Sequence, residues 1–143
     1  MFRTTFLPAL LLSLALATPT GALAFESSLY ERLGGKAGIQ HIADTLIDSS
    51  SHDPKTAPYW KNVNLVRVKT KLAEYLCSQT GGGCVFDDDN LRVIHAGQHI
   101  SEGAFYSMVE QLRSLLDSQG IGAREKNELL RVLAPSKRDV VQP

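Results

Sequence analysis

The sequence predicts an all-α domain, and three observations support that fold class. Apolar residues recur three and four positions apart in several long segments, as they do on one face of an α-helix. Strict alternation of apolar and polar residues, which would indicate a half-buried strand, never persists. Glycines or prolines stand where the apolar segments end. The expected architecture is therefore a set of helices joined by short corners.

Residues 1–24 have the order of a secretory signal peptide. Arg3 precedes an apolar run that begins at Phe6, and small residues lead up to Ala24. The apolar run is well short of the roughly 20 residues that a membrane span needs. We therefore expect cleavage after Ala24 and export, to a bacterial periplasm in the simplest case. The mature chain, residues 25–143, is expected to have no membrane association.

The mature chain would keep 119 residues, which suits one compact domain with a buried core. Its formal net charge would be −1, and no segment carries a basic stripe that could attract phosphate groups. We therefore expect a single domain that does not bind nucleic acid.

Two long helices are predicted after the amino-terminal glycines. The first covers residues 36–49, and the second covers residues 65–79, with Asn64 as its N-cap and the glycines 81–83 as its end. Each segment has one apolar side, formed by Ile39, Ile42, Ala43, Leu46 and Ile47 in the first, and by Leu65, Val68, Leu72, Tyr75 and Leu76 in the second.

A very short helix and a third long helix are predicted next. Residues 87–90 favour a helix start because they can cap it and place negative charge at its positive end. A short helix is therefore expected over residues 91–96, closed by Gly97. Ser101 opens the third long helix, which ends at Gly120.

A fourth apolar stripe, formed by Leu129, Leu130, Val132 and Leu133, ends before Pro135 and predicts the last long helix. The tail from Ser136 to Pro143 is largely polar, and it is expected to be mobile.

Cys77 and Cys84 are separated by six residues that include three consecutive glycines, so the chain can double back between them. In an oxidising compartment they are expected to form a structural disulfide, worth about 2–3 kcal/mol on the chain-entropy model. The alternative is a redox or metal-binding pair, but neither the CxxC spacing nor two further cysteines are present.

His95 is the most informative residue for chemistry, because the chain has no GxSxG, HExxH, P-loop, dinucleotide or CxxCH motif. It follows Leu91 by four residues, on the apolar side of a helix too short to be explained by its own packing. His99 comes four residues later, and such a pair can bind a metal ion, although no third or fourth ligand is evident nearby. The residues alone are compatible with His95 as a buried core histidine and with His95 as a metal ligand.

Three separated motifs resemble the group I truncated globins in order and spacing. They are Leu29-Tyr30-Glu31-Arg32-Leu33-Gly34-Gly35, the corner Gly81-Gly82-Gly83, and His95-Ala96-Gly97 followed by Ile100-Ser101 and Phe105. The match spans roughly Leu29 to Val141. This resemblance implies a two-on-two helical sandwich around non-covalent haem b, with His95 as the proximal iron ligand. A backbone carbonyl or a water is then expected at the other ring nitrogen.

The resemblance also implies the other residues that line the haem. Tyr59 and Trp60 match a pair of aromatics in the family, and Trp60 matches the one that packs against the porphyrin. Phe105 belongs to the same expected set, and Ile47, Val68 and Leu72 would form the distal face.

This distal face departs from the family pattern. Typical members place a tyrosine where Ile47 stands and often a glutamine where Leu72 stands. Bound dioxygen carries partial negative charge, and each missing hydrogen bond costs on the order of 1–3 kcal/mol. We therefore expect weak oxygen retention, whereas carbon monoxide and nitric oxide depend less on such donors.

Three functions from different classes follow. The preferred function is a haem globin that reversibly binds small diatomic gases. Dioxygenation of nitric oxide would also need a separate reductase, because the chain has no flavin or nicotinamide motif. A helical periplasmic metal-binding protein that uses His95 and His99 is second, and a cofactor-free interaction module is third. Visible absorption separates them, because the globin alone predicts an intense Soret band that depends on His95.

Overall fold

The computed structural model describes Met1 and residues 26–86 and 91–142. Apart from Met1, the predicted signal peptide lies outside the described residues, as do the predicted helix-start residues 87–90. The helices are α1 (Leu29–Arg32), α2 (Gly35–His52), α3 (Leu65–Gln79), α4 (Leu91–Ile94), α5 (Glu102–Ser118), α6 (Ala123–Leu133) and α7 (Lys137–Val140), with 3₁₀ turns at Ala57–Trp60 and Ala134–Ser136. The described residues contain no strand, so the predicted all-α class is confirmed. No described helix is both long enough and apolar enough to cross a membrane.

The long helices form where the apolar stripes predict them. α3 has the predicted bounds, and α2 begins one residue earlier and ends three residues later than predicted. Ser101 caps α5, because its side chain accepts a hydrogen bond from the backbone N–H of Ala104. α4 ends two residues before the predicted bound, at Ile94.

The prediction of a mobile tail is wrong. Residues 137–140 form α7, and the backbone N–H of Gln142 donates to the carbonyl of Ile100 at 3.1 Å. Polar side chains of the tail contact the chain around α4. Composition alone does not distinguish a polar residue that makes such contacts from one that faces solvent.

A tight corner between α1 and α2 sets the direction of α2. Gly34 and Gly35 both have positive φ, 94° and 60°, in the left-handed region that a Cβ disfavours. The corner brings the two helices so close that a Cβ on Gly38 would lie 1.9 Å from the carbonyl oxygen of Leu33. Position 38 therefore accommodates glycine alone without a backbone shift.

The hydrophobic core is formed by α1, α2, α3, α5 and α6. Its buried members are Leu29, Leu33, Ile39, Ile42, Ala43, Leu46, Ala73, Leu76, Cys77, Leu112, Leu115, Leu116 and Leu129. α2 packs chiefly against α3 and α5. Among the described residues, α4 and α7 supply no member of this cluster. Each buried leucine-sized side chain contributes about 1.5–3 kcal/mol, so the stability of the fold resides in the other five helices.

Cys77 and Cys84 form the expected disulfide, with their Cα atoms 5.7 Å apart. Cys77 is buried near the end of α3, and Cys84 lies in the exposed segment that follows the glycines. A Cβ on Gly82 would lie 2.5 Å from Sγ of Cys77 and 2.6 Å from the ring of Tyr30. Gly82 therefore leaves the space in which the disulfide and the Tyr30 ring pack together.

Candidate functional site

A cavity of about 380 Å³ lies beside the core. Its walls come from α2, α3, α4, α5 and α7 and from the 3₁₀ turn at Ala57–Trp60. Most of the lining side chains are apolar or aromatic, and a few polar groups are placed among them. Cavities of this composition bind small molecules and cofactors.

All seven residues predicted to contact a cofactor line this cavity: Ile47, Tyr59, Trp60, Val68, Leu72, His95 and Phe105. His99 is not among the lining residues, and it is exposed at a positive φ of 49°. Over residues 26–86 and 91–142, no group of three His, Cys, Asp or Glu side chains could hold a metal ion. The metal-binding alternative with His95 and His99 therefore finds no third ligand in this part of the chain.

The imidazole of His95 is held in one orientation. Its Nδ1 lies 2.7 Å from the carbonyl oxygen of Leu91, one helical turn earlier. A carbonyl oxygen only accepts hydrogen bonds, so Nδ1 carries the proton and donates it. In the neutral imidazole, Nε2 then keeps its lone pair, as a metal ligand requires. The exposed short helix α4 thus presents one oriented nitrogen base to the cavity.

The wall from α2 and α3 is apolar where Ile47, Val68 and Leu72 line it. The nearby indole N–H of Trp60 donates to Oγ of Ser50 at 2.9 Å, so it is already engaged within the protein. Ser50 is fully buried, and its carbonyl accepts a hydrogen bond of 2.6 Å from the hydroxyl of Thr56. These contacts fix the ring of Trp60 at the cavity edge.

The hydroxyl of Tyr59 accepts a hydrogen bond of 3.3 Å from the backbone N–H of Ser101. Hydrogen bonding with the side chain of Ser101, and then with its backbone, lowers the pKa of Tyr59. The backbone hydrogen bond also links the 3₁₀ turn to the start of α5, so the two aromatics after α2 are anchored to different parts of the protein.

Several lining residues were not predicted from the sequence, and Tyr75 and Phe86 are the most informative of them. Their rings meet edge to face with centroids 5.2 Å apart. Burial raises the pKa of Tyr75, against a hydrogen bond with Ser136 that lowers it. Tyr75 could have been found, because it follows Val68 by seven residues and so shares its helix face. Phe86 follows the disulfide in a segment with no helical period, so no sequence pattern pointed to it.

Two cationic residues also line the cavity, Arg67 and Lys71 on α3. Nζ of Lys71 lies 2.9 Å from a carboxylate oxygen of Glu74. Arg67 and Lys71 are four residues apart and therefore lie on one side of α3, beside the apolar stripe.

An all-helical fold with an apolar cavity and one oriented imidazole is the arrangement that defines the globins. The family described as bacterial-like globin matches residues 28–142 of this chain. The chain belongs to the bacterial-like globin family. It is a truncated globin, a class of protein that binds haem and gaseous ligands.

Relatives and solved structures agree with this assignment. The group 1 truncated haemoglobin of Mycolicibacterium paratuberculosis is 22% identical over 112 residues, covering 78% of this chain and 82% of that protein. The group 1 truncated haemoglobin of Tetrahymena thermophila is 21% identical over 114 residues, covering 80% and 94%.

Among solved structures, the ferric truncated haemoglobin of Tetrahymena pyriformis matches with a TM-score of 0.77 at 20% identity, covering 82% of this chain and all of that one. The 2/2 haemoglobin of Synechococcus, solved with covalently attached haem, matches with a TM-score of 0.75 at 19% identity, covering 80% and 98%. The predicted two-on-two fold is confirmed.

Proposed function

We propose that this globin holds haem b without a covalent bond, with Nε2 of His95 as the proximal iron ligand, and reversibly binds diatomic gases. The observation that supports this most directly is the hydrogen bond between Nδ1 of His95 and the carbonyl of Leu91, within the wall of an apolar cavity. When bound, haem would supply an iron atom at which oxygen, nitric oxide or carbon monoxide can bind. The protein would supply the ligand nitrogen, the largely apolar cavity and the groups around it.

The cavity residues fit haem b. Apolar and aromatic side chains suit the faces of a porphyrin, and Trp60 is the aromatic we expect against it. Arg67 and Lys71 would hold the propionate carboxylates by charge. Both cysteines of the chain are joined in the disulfide, so no thiol is free for a thioether bond to haem. The chemistry of the lining therefore favours non-covalent haem.

The apolar distal wall bears on which gas is retained. Ile47, Val68 and Leu72 carry no hydrogen-bond donor, and the indole N–H of Trp60 is engaged by Ser50. A gas that gains little from hydrogen bonds, such as carbon monoxide or nitric oxide, is held relatively better there than dioxygen. If nitric oxide is dioxygenated, a separate reductase must return the iron to the ferrous state.

We also propose that the chain is exported, to the periplasm if its host is a bacterium. The disulfide supports this proposal, because such bonds persist mainly in oxidising compartments. Fractionation followed by amino-terminal sequencing tests it. A mature protein that begins at Phe25 is expected, and an uncleaved cytosolic chain would contradict the proposal.

The haem proposal is tested by absorption spectra of the mature chain reconstituted with haem in ferric, ferrous and carbon-monoxide-bound forms. We expect a stoichiometric Soret band that shifts with carbon monoxide. In His95→Ala the band should collapse or move, and imidazole added in solution should restore part of it. The matched control is His99→Ala, whose spectrum should equal that of the parent. A parent chain that takes up no haem would refute the proposal, and equal effects of the two substitutions would refute His95 as the ligand.

A further inference from the structure

The helix that precedes His95 has little packing of its own. α4 contains four residues, and Val93 and Ile94 are 59% and 42% exposed. It supplies no side chain to the described core. A four-residue helix is not stable alone, since nucleation costs more than one hydrogen bond returns. The position of His95 must therefore be set by contacts from elsewhere.

The carboxyl-terminal segment, residues 136–142, supplies those contacts. The side-chain oxygen of Gln142 accepts a hydrogen bond of 3.0 Å from the backbone N–H of Gly97, two residues after His95. The backbone N–H of Gln142 donates to the carbonyl of Ile100 at 3.1 Å. A carboxylate oxygen of Asp139 lies 3.4 Å from the guanidinium of Arg92. The segment thus bonds to the chain before and after His95.

The same segment reaches the cavity. Val140 lines it together with Leu72 and Tyr75 of α3. Residues 136–142 therefore join the chain around α4, which leads into His95, to the cavity that α3 also lines.

We propose that residues 136–142 form a strap that positions His95 at the cavity, with Asp139 and Gln142 as its positioning residues. The strap holds the chain on both sides of His95 and so sets where the ligand nitrogen lies. This inference rests on the proposed haem function. It states that contacts with the strap, and not contacts with the core, keep α4 folded and set the geometry of the bond between His95 and iron.

The test compares Gln142→Ala and Asp139→Ala with the parent chain. Gln79→Ala is the matched control, because Gln79 is exposed and bonds to its neighbour Ser78 on α3. The first readout is hydrogen exchange of residues 91–98 without haem. The second is the rate of haem transfer to apomyoglobin, and the third is the iron–histidine stretching band of the ferrous protein in resonance Raman spectra.

We expect each strap variant to exchange amides in 91–98 about two- to tenfold faster, as the loss of one net hydrogen bond predicts. Haem should dissociate faster by a similar factor, and the iron–histidine band should shift or broaden, while urea unfolding of the core stays near that of the parent. Unchanged exchange in 91–98, or an unchanged iron–histidine band, would overturn the strap proposal. A parent chain without a His95-dependent Soret band would instead refute the haem function, so the two failures are distinguishable.

Discussion

Reduction of the Cys77–Cys84 disulfide should destabilise the protein by about 2.5 kcal/mol. The bridge closes a loop of eight residues, and the chain-entropy model assigns roughly this free energy to such a loop. The equilibrium constant for unfolding should therefore rise by a factor of roughly 70.

Urea unfolding followed by circular dichroism measures this change. Comparing oxidised with reduced wild type isolates the effect of the cross-link, because the reduced protein keeps both sulfur atoms. Cys77→Ala/Cys84→Ser should lose somewhat more, since Cys77 is 3% exposed and the substitution also removes buried sulfur. Equal unfolding midpoints and slopes for oxidised and reduced wild type would refute the reasoning, because the cross-link would then not constrain the unfolded chain.

Two further predictions concern single positions. Gly38→Ala should destabilise by about 1–3 kcal/mol in thermal or urea unfolding, because its Cβ would meet the carbonyl of Leu33. The control Gly103→Ala, also within a helix, has its nearest such neighbour at 3.9 Å and should be neutral or stabilising by up to about 1 kcal/mol; similar losses at both positions would contradict the packing argument. For Asp139→Asn, the hydrogen bond and charge of Arg138, followed by those of Arg92, lower the pKa of Asp139 in the folded protein. In hydrogen exchange of residues 91–98, corrected for the intrinsic pH dependence of exchange, the local stability that wild type holds over the variant should be present at pH 7, shrink as pH falls below the ordinary carboxyl value of about 4, and vanish below the folded pKa. A difference that grows with acid would contradict this sign.

The long helices could be predicted because each has a stripe that packs into the core. α3 was predicted to the residue, since Asn64 caps its start and glycines follow its end. The short helix α4 was predicted from the residues before it and not from a stripe, whereas α7 was not predicted. α7 has too few residues to show a period, and it forms because Asp139 and Gln142 bond to residues more than 40 positions away.

The site was predicted in part, from the resemblance to a family. The resemblance indicated His95 and its six companions, and the structure brings all seven to one cavity. Their contact with haem stays a prediction. A backbone carbonyl or a water was expected at the second ring nitrogen of His95, and the carbonyl oxygen of Leu91 lies beside Nδ1. Phe86 and Val140 depend on the path of the backbone through the disulfide and the strap, which no local pattern encodes.

The separation of the core from α4 and α7 has a consequence for the order of assembly. The thirteen buried residues of the core cluster lie in or beside α1, α2, α3, α5 and α6, whereas His95 lies on a turn outside that cluster. We therefore expect the polypeptide to fold before it meets haem, with the edge of the cavity around His95 as the last part to become rigid. Under the proposed function, the supply of haem would limit how much of the protein can bind gas, and it would not limit how much of the chain folds.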